Sequence, residues 1–290
     1  MRYAIATLDR YLGVFEAFHR AGWTCVKLFT LPVRDREFGT QERAIALAQK
    51  AGAPIQLARI GAEDLHALGD SGCEALIVAG YDFKVPPWHP ALKYAVNFHP
   101  APLPLGRGPY PLWRALLERQ PVWGMTCHRL SAQFDAGDIL AAEHFALEGG
   151  ECHEQLNLRV QMAGRRLAER VARDFVALWD GAEPQRGGSY WPRTALRERM
   201  LDFTRPHAEV LHTVRAFGRT GSIAQVSGTW LIVKHALGWP EPHQQRPGEV
   251  AHLAGNTLVI AVADGYLALI ESDIAPPHLV GELNTEARAP

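Results

Sequence analysis

The sequence has 290 residues, of which 47% are hydrophobic and 21% are charged. Such a composition is typical of a folded protein with one large domain or two smaller ones, and it excludes a disordered chain. The 30 Lys and Arg residues nearly balance the 31 Asp and Glu residues, giving a net charge of −1. This balance argues against a protein built to coat nucleic acid or an anionic membrane.

Two features lead us to expect a cytoplasmic protein with no membrane partner. The opening residues, MRYAIATLDRYLG, lack the basic start and long apolar run of a signal peptide, and no apolar stretch is long enough to cross a bilayer. Four cysteines are scattered without a Cys-x-x-Cys pair, a pattern typical of reduced thiols. They are Cys25, Cys73, Cys127 and Cys152.

Short apolar runs alternate with helical patterns over the first two-thirds of the chain. The runs that resemble strands are Tyr3–Ala6, Cys25–Leu31, Ala75–Val78, Tyr94–Phe98, Gly124–Leu130 and Ile139–Leu147. Helical spacing of apolar residues occurs at Leu12–Ala21, 41–52, Pro111–Arg119 and Glu154–Trp179. This alternation predicts an α/β domain over residues 1–180, with a Rossmann-like, mostly parallel sheet.

The pattern changes after residue 180. Residues 181–201 are rich in Gly and Pro at their start and are predicted to form a linker. Beyond one helix, near Pro206–Phe217, four β-like runs follow at Ser222–Val226, Trp230–Val233, Leu258–Val262 and Tyr266–Ile270. Residues 202–290 are therefore predicted to form a small, mainly β domain of the open-barrel or sandwich type.

Polar side chains are concentrated where one predicted strand ends. Asn97 and His99 point to the same face of the strand, because side chains alternate with a period of two. The strand stops at Pro100, so both groups should lie at its carboxyl end, where open α/β sheets bind ligands. A third polar group, Asp135, follows in a Gly-containing turn between two later strands.

This trio suits acyl transfer to an amine. Attack on an acyl carbon produces a tetrahedral intermediate with a negatively charged oxygen, which Asn97 and a protonated His99 can stabilise. Asp135 can orient the imidazole, raise its pKa and assist movement of the amine proton. Because the acyl group can pass directly between nitrogens, no nucleophilic Ser or Cys is needed.

An ordered set of motifs resembles the folate-dependent formyltransferase family, which includes methionyl-tRNA formyltransferase. The set comprises Asn97, His99, Leu103-Pro104, Arg107-Gly108, Gly124-Met125-Thr126 and Asp135-Ala136-Gly137. The layout, including the second domain, is close to that of the amino-sugar formyltransferase half of the bifunctional polymyxin-resistance enzyme. One departure is Ala101, where the tRNA and sugar members have Ser.

The resemblance implies an N-formyltransferase with 10-formyltetrahydrofolate as co-substrate. It also implies that the folate pocket follows Ala79-Gly80-Tyr81 and is closed on its other side by the turn before Asp135. By that likeness the residues that bind the folate are Phe83, Lys84, Val85, Gln133 and Asp135.

Other residues carry weaker expectations. Arg107 and Arg10 are candidates for binding the amine substrate, although each could be an ordinary surface residue. His128 is interpreted as a core or supporting residue. The spacing of the His and Cys residues suggests no metal site, and the first strand is not followed by the Gly-x-Gly-x-x-Gly of a dinucleotide site.

The amine itself stays open at this stage. A nucleotide-linked amino sugar and an N-hydroxyornithine siderophore precursor both fit the chemistry, and initiator tRNA is the main alternative. Residues 202–290 contain 6 Lys and Arg against 9 Asp and Glu, which disfavours a surface that binds tRNA phosphates. A formyl-folate hydrolase and a non-catalytic folate- or nucleotide-binding module are further alternatives. The sequence is compatible with an oligomer.

Overall fold

The computed structural model describes residues 1–31 and 40–286. These residues form two compact units, each described here by itself. The first contains residues 1–31, 40–111, 121–147 and 157–192. The second contains residues 193–286 together with two short segments, 112–120 and 148–156, that the sequence pattern had not separated from the first domain.

The elements of the first 180 residues alternate as the sequence predicts. In chain order they are β1 (Arg2–Thr7), α1 (Leu12–Arg20), β2 (Thr24–Phe29), α2 (Glu42–Lys50), β3 (Ile55–Gln56), α3 (Ala62–Asp70), β4 (Ala75–Ala79), β5 (Tyr94–His99), α4 (Leu112–Leu117), β6 (Val122–Arg129), β7 (Ile139–Ala146) and α5 (His153–Asp180). Helix α3 was not predicted, because only Leu65 and Leu68 among its nine residues are buried.

Seven strands form the sheet of the first unit, in the order β3-β2-β1-β4-β5-β6-β7. The first five are parallel, while β6 and β7 run antiparallel to their neighbours. The predicted mostly parallel α/β sheet is therefore confirmed. From β1 the chain adds β2 and β3 on one side of the sheet and then adds β4 and β5 on the other side, so the strand order reverses between β1 and β4. Ligands of open α/β sheets bind beside such a point, at the carboxyl ends of the strands.

The two faces of this sheet bury different side chains. One face carries a cluster of aromatic rings in which Trp23 packs edge-to-face on Phe18 and on Phe175 of α5. Phe98 of β5 joins this cluster through Phe18, with ring centroids 6.1 Å apart. Because side chains alternate along a strand, Asn97 and His99, on either side of Phe98, point to the opposite face.

The second unit contains one five-stranded antiparallel sheet, in the order β10-β11-β12-β9-β8. Its elements after residue 192 are α6 (His207–Phe217), β8 (Ser222–Val226), β9 (Thr229–Pro240), β10 (Val250–Ala254), β11 (Thr257–Val262), β12 (Gly265–Ile274) and α7 (Pro277–Glu286). Its core is aliphatic: Val210 and Val214 of α6 pack with Val233, Leu267 and Leu269 of the sheet.

This sheet confirms the predicted mainly β C-terminal domain, with differences in its elements. Strand β9 is far longer than the predicted run Trp230–Val233, since it continues through polar residues along β12. Strand β10 was missed because it is an edge strand with mostly exposed side chains. Helix α7 was also not predicted. In the part of the chain that the structure describes, no helix is long and apolar enough to cross a membrane.

Candidate active site

Strand β5 brings Asn97 and His99 to the end of the parallel sheet. Its first residues, Tyr94 to Val96, are buried and apolar, so they hold the strand between β4 and β6. The strand ends at His99, directly before Pro100, as predicted. His99 is buried, and Asn97 is partly buried.

Both ring nitrogens of His99 face hydrogen-bond acceptors. Nε2 lies 2.8 Å from the carbonyl oxygen of Gly106, and Nδ1 lies 3.4 Å from Oδ1 of Asp135. Because a carbonyl can only accept, Nε2 carries a proton and donates it to Gly106. A second proton, on Nδ1, would be directed at the Asp135 carboxylate.

Asp135 adopts a left-handed backbone conformation that few residues other than Gly, Asn and Asp tolerate, with φ of 53°. Its Oδ2 accepts a hydrogen bond of 3.0 Å from the backbone N–H of Gly108. Burial raises the pKa of this carboxyl, but the neighbouring His99 and His128 and the Gly108 N–H outweigh burial and lower the pKa to about 2. Asp135 is therefore a carboxylate at neutral pH.

The amide of Asn97 is held by two internal partners. Its Nδ2 donates to Oδ1 of Asp135 at 3.2 Å and lies 3.3 Å from Nε2 of His128. His128 donates from Nδ1 to the backbone carbonyl of Arg129 at 2.8 Å, so in the neutral ring Nε2 is left as an acceptor. Both hydrogens of the Asn97 amide are then engaged.

Burial sets the charge state of His99. It lowers the pKa of the ring below its ordinary value, while Asp135 and the Gly106 carbonyl act in the opposite direction and His128 acts with burial. At neutral pH the resting site therefore holds a neutral imidazole beside a carboxylate. Negative charge that develops nearby during a reaction would draw a proton onto Nδ1.

Thr126 holds the loop after β5 in place. It is fully buried, and its hydroxyl donates to the carbonyl of Ala101 at 2.7 Å and accepts from the N–H of Leu103 at 3.1 Å. In the register of β5 and β6, Thr126 pairs with His99 and His128 pairs with Asn97. The four side chains consequently share one face of the sheet.

Of the two arginines suggested for the amine substrate, Arg10 lies in a short 3-10 helix after β1 and Arg107 lies in the loop after β5. The Arg10 guanidinium carbon lies 5.1 Å from the centre of the Tyr110 ring, two residues beyond Gly108. The Arg107 side chain reaches the carbonyl of Gly187 at 3.5 Å, and its Nε is buried with no hydrogen-bond partner among the described residues.

The residues suggested for the folate lie near the ends of neighbouring strands. Phe83 follows β4 and stacks under Arg59, whose guanidinium carbon is 3.8 Å from the ring centre. Val85 packs into the core on that side of the sheet, while Lys84 and Gln133 are exposed. The indole of Trp88 donates to the carbonyl of Leu130 at 3.2 Å, which ties this segment to the end of β6.

Some residues of the site were not predicted as functional. His128, interpreted from the sequence as a core or supporting residue, is buried and contacts both Asn97 and Asp135. His128 follows Thr126 by two residues, so both face the same side of their strand, but only the pairing of that strand with β5 places them beside Asn97 and His99. Among the described residues, no group of three or more His, Cys, Asp and Glu side chains has an arrangement that could hold a metal ion.

Comparisons with known proteins match this arrangement. Residues 66–171, which include Asn97, His99 and Asp135, match the model of the family described as Formyl transferase. Methionyl-tRNA formyltransferase from Janthinobacterium sp. (strain Marseille) is 28% identical over 280 residues, which covers 88% of this chain and 86% of that protein.

Solved structures share the fold at low sequence identity. An N-formyltransferase from Helicobacter canadensis, in complex with folinic acid and dTDP-3-aminofucose, has a TM-score of 0.68 at 13% identity and covers 94% of this chain and 99% of that chain. HypX from Aquifex aeolicus, in complex with tetrahydrofolic acid, has a TM-score of 0.66 at 18% identity over 95% of this chain. The matched part is 44% of HypX, so this chain spans less than half of that protein.

The family match, the sequence relatives and the shared fold agree with the motifs in the sequence. They confirm the resemblance carried by Asn97, His99 and the later Asp135 turn. The chain is similar to the formyltransferase family, whose model its residues 66–171 match.

Proposed function

We propose that this chain transfers a formyl group from 10-formyltetrahydrofolate to the amine of a small molecule. The observation that carries the proposal is the buried network of Asn97, His99 and Asp135 at the carboxyl end of β5, inside the formyl transferase domain. An amide donor, an imidazole and a carboxylate in contact are the groups that acyl transfer between nitrogens requires.

The folate co-substrate supplies a formyl group on a nitrogen that can depart. Asn97 and His99 stabilise the negative oxygen that forms when the amine adds to the formyl carbon. In the resting site their N–H groups donate to Asp135, His128 and Gly106. Catalysis therefore requires substrate to exchange some of these internal bonds for bonds to the formyl oxygen, at positions that are already organised.

Asp135 and His99 hold the proton that moves from the attacking amine to the departing folate nitrogen. The attacking amine loses one proton and the departing folate nitrogen gains one, so the pair needs only to hold it between the two steps. Asp135 is ionised and faces Nδ1 of a neutral His99, which makes that nitrogen a stable place for the proton while the intermediate exists.

The folate is expected to bind beside this network. Phe83, Lys84 and Val85 follow β4, and Gln133 and Asp135 lie in the turn after β6. Strands β4, β5 and β6 are neighbours in the sheet, so these segments adjoin the strand that carries Asn97 and His99.

The acceptor we favour is a nucleotide-linked amino sugar or an N-hydroxyornithine. Arg10, after β1, and Arg107, after β5, can bind a phosphate or carboxylate of such a molecule. The segment from Leu103 to Trp113 has a single basic residue, and residues 202–290 carry more acidic than basic residues. Both facts favour a small acceptor over a polyanion.

Initiator tRNA is the second candidate. It is supported by methionyl-tRNA formyltransferases such as the Ralstonia nicotianae protein, which aligns with 93% of this chain. Tight tRNA binding depends on contacts with phosphates and should weaken steeply as salt concentration rises.

The test is release of tetrahydrofolate from 10-formyltetrahydrofolate in the presence of single acceptors. The panel contains an amino-sugar nucleotide, N-hydroxyornithine, charged initiator tRNA and a control without amine. We expect release that depends on one of the two small amines. Release only with tRNA would support the second candidate, release without amine would indicate a hydrolase, and folate binding without release would indicate a binding module.

A further inference from the structure

Residues 183–191, which lie within the predicted linker, run along both loops of the active site; we call them the strap. At one end, Glu183 exchanges two backbone hydrogen bonds with Ile139, of 2.8 and 3.0 Å. At the other end, Trp191 donates to the carbonyl of Arg107 at 2.7 Å, and its ring stacks on that of Trp123 at 5.6 Å.

The first contact of the strap with the site is through Gln185. Its Nε2 donates to the backbone carbonyls of Asp135 and Gly137, each at 2.8 Å. The Oε1 of this amide is buried and has no hydrogen-bond partner among the described residues. The hydrogen bonds of the amide are therefore the two that its Nε2 donates. These bonds fix the left-handed turn that presents the Asp135 carboxylate to His99.

The second contact is through Ser189. Its Oγ accepts from the N–H of Gly106 at 3.0 Å, its N–H donates to the carbonyl of Pro104 at 3.1 Å, and its carbonyl accepts from the N–H of Arg107 at 3.0 Å. These bonds hold the segment whose Gly106 carbonyl accepts from Nε2 of His99.

Glycines allow the strap to lie against the loop. A Cβ on Gly188, where φ is +89°, would lie 2.1 Å from the carbonyl oxygen of Pro104. A Cβ on Gly108, where φ is +107°, would lie 2.3 Å from the carbonyl oxygen of Trp191. Only glycine fits either position, so the close approach is built into the sequence on both sides.

We infer that the strap is a positioning element of the active site, in which Gln185 and Ser189 set the two groups that flank the His99 ring. The inference rests on the proposed function, because it assigns the strap a part in the same reaction. Gln185 holds the turn that places the Asp135 carboxylate beside Nδ1 of His99. Ser189 holds the segment that places the Gly106 carbonyl beside Nε2 of the same ring. An active-site group displaced by about 1 Å can lose as much as 100-fold in rate.

Two variants test the strap. Gln185→Met keeps the length of the side chain and removes both donors, and Ser189→Ala removes only the acceptor for the Gly106 N–H. Gln49→Met is the matched control, since Gln49 is exposed on α2. For Gln185→Met we expect a decrease in kcat of about 10-fold or more with a smaller change in KM. For Ser189→Ala we expect a decrease in the same direction.

A second readout does not depend on the reaction. The titration midpoint of His99, followed by NMR on the folded protein without ligand, should rise toward the ordinary histidine value in Gln185→Met. Burial is the main cause of the lowered pKa of His99, and a loosened turn admits water. The charged or titratable groups that face the ring are Asp135 and His128, and both are retained in the variant.

The outcomes separate the two proposals. A higher titration midpoint of His99 in Gln185→Met, with a thermal unfolding midpoint near that of Gln49→Met, supports the strap even if no acceptor gives turnover in the wild type. If Gln185→Met had the same titration midpoint of His99 and the same kcat as Gln49→Met, the role given to the strap would be wrong and the proposed function would be unaffected. If Gln185→Met does not fold, the same two measurements on Ser189→Ala decide the matter.

Discussion

The carboxyl end of β5 and the five-stranded sheet of the second unit bury opposite kinds of side chain. At the first, His99, Thr126 and His128 are all at most 5% exposed, and Asn97 and Asp135 lie against them. The five strands of the second sheet bury a single polar side chain, Ser222, among their described residues.

This difference indicates which of the two regions carries out a reaction. Burying polar groups is costly unless each finds a partner, whereas burying aliphatic groups is favourable in itself. The aliphatic sheet therefore needs no explanation beyond its own stability. The polar network is explained by a reaction that needs a donor, an imidazole and a carboxylate out of water, so the two regions should respond to substitution in opposite ways.

The largest expected effect is on turnover, from Asp135→Asn. The amide keeps the shape of the side chain and tolerates the left-handed backbone, but it cannot stabilise a protonated His99. We expect turnover to fall about 1,000-fold with the fold preserved. Rates of tetrahydrofolate release, with circular dichroism for the fold, measure this effect.

The control lies in the same turn. Asp138 pairs with Arg129 at 3.1 Å in a partly exposed ion pair, so Asp138→Asn should change stability by less than about 1 kcal/mol and leave turnover unchanged. Similar rates for Asp135→Asn and Asp138→Asn would contradict the role given to Asp135.

The second sheet should show the reverse pattern. Leu267 is fully buried in its core, and Leu267→Ala should lower the free energy of unfolding by about 3 kcal/mol. Turnover per folded molecule should not change. Denaturant unfolding measures the loss, and Leu237→Ala, at a position 53% exposed on the adjacent strand, should cost under about 0.5 kcal/mol. A loss of turnover in folded Leu267→Ala would break the contrast between the two regions.

A smaller effect on stability is expected from Thr126→Val. Valine has nearly the shape of threonine, but it leaves the buried carbonyl of Ala101 and N–H of Leu103 without their bridge. We expect a loss of about 2 kcal/mol in the free energy of unfolding, together with lower turnover.

Thr30 provides the comparison for this substitution. Its hydroxyl is buried with no hydrogen-bond partner among the described residues, so Thr30→Val removes an unsatisfied group. The variant should be as stable as the wild type or more stable. Equal losses from the two substitutions would show that the Thr126 bridge contributes nothing of its own.

The last effect, similar in size to that of Thr126→Val, concerns acid stability. The pKa of Asp135 is about 2 in the folded protein and near 3.8 in an exposed carboxyl, so the carboxylate stabilises the fold fully above 3.8. That contribution, about 2 kcal/mol, should be lost as the pH falls from 3.8 to 2. The free energy of unfolding of Asp135→Asn should fall less steeply over this range. If the free energies of unfolding of the wild type and Asp135→Asn fell in parallel over this pH range, the pKa of Asp135 would not be lowered in the folded protein.

Local patterns in the sequence predicted a good part of this molecule. Strand β5 was placed correctly because Tyr94, Ala95 and Val96 form a buried apolar run that stops at a proline, and period-two alternation then put Asn97 and His99 on one face. The alternation of strands and helices likewise gave the α/β class of the first domain.

The missing parts depend on contacts between distant segments. The contacts of His128 follow from the pairing of β6 with β5, which the spacing along the chain does not specify. The strap resembles a linker in sequence because its Gly and Pro residues are typical of loops. Its hydrogen bonds to Asp135 and Gly106 connect residues about 50 and 80 positions apart, beyond the reach of a local pattern.

The most direct test of the account follows the formyl carbon itself. Wild-type protein would be mixed with 10-formyltetrahydrofolate labelled with ¹³C in the formyl group, in the presence of the acceptor that gives turnover, and the label observed by NMR. We predict that the label moves to the nitrogen of the acceptor in the wild type and stays on the folate over the same period in Asp135→Asn. Label that passes to formate in both proteins, or reaches the acceptor equally fast in both, would contradict direct transfer by this network.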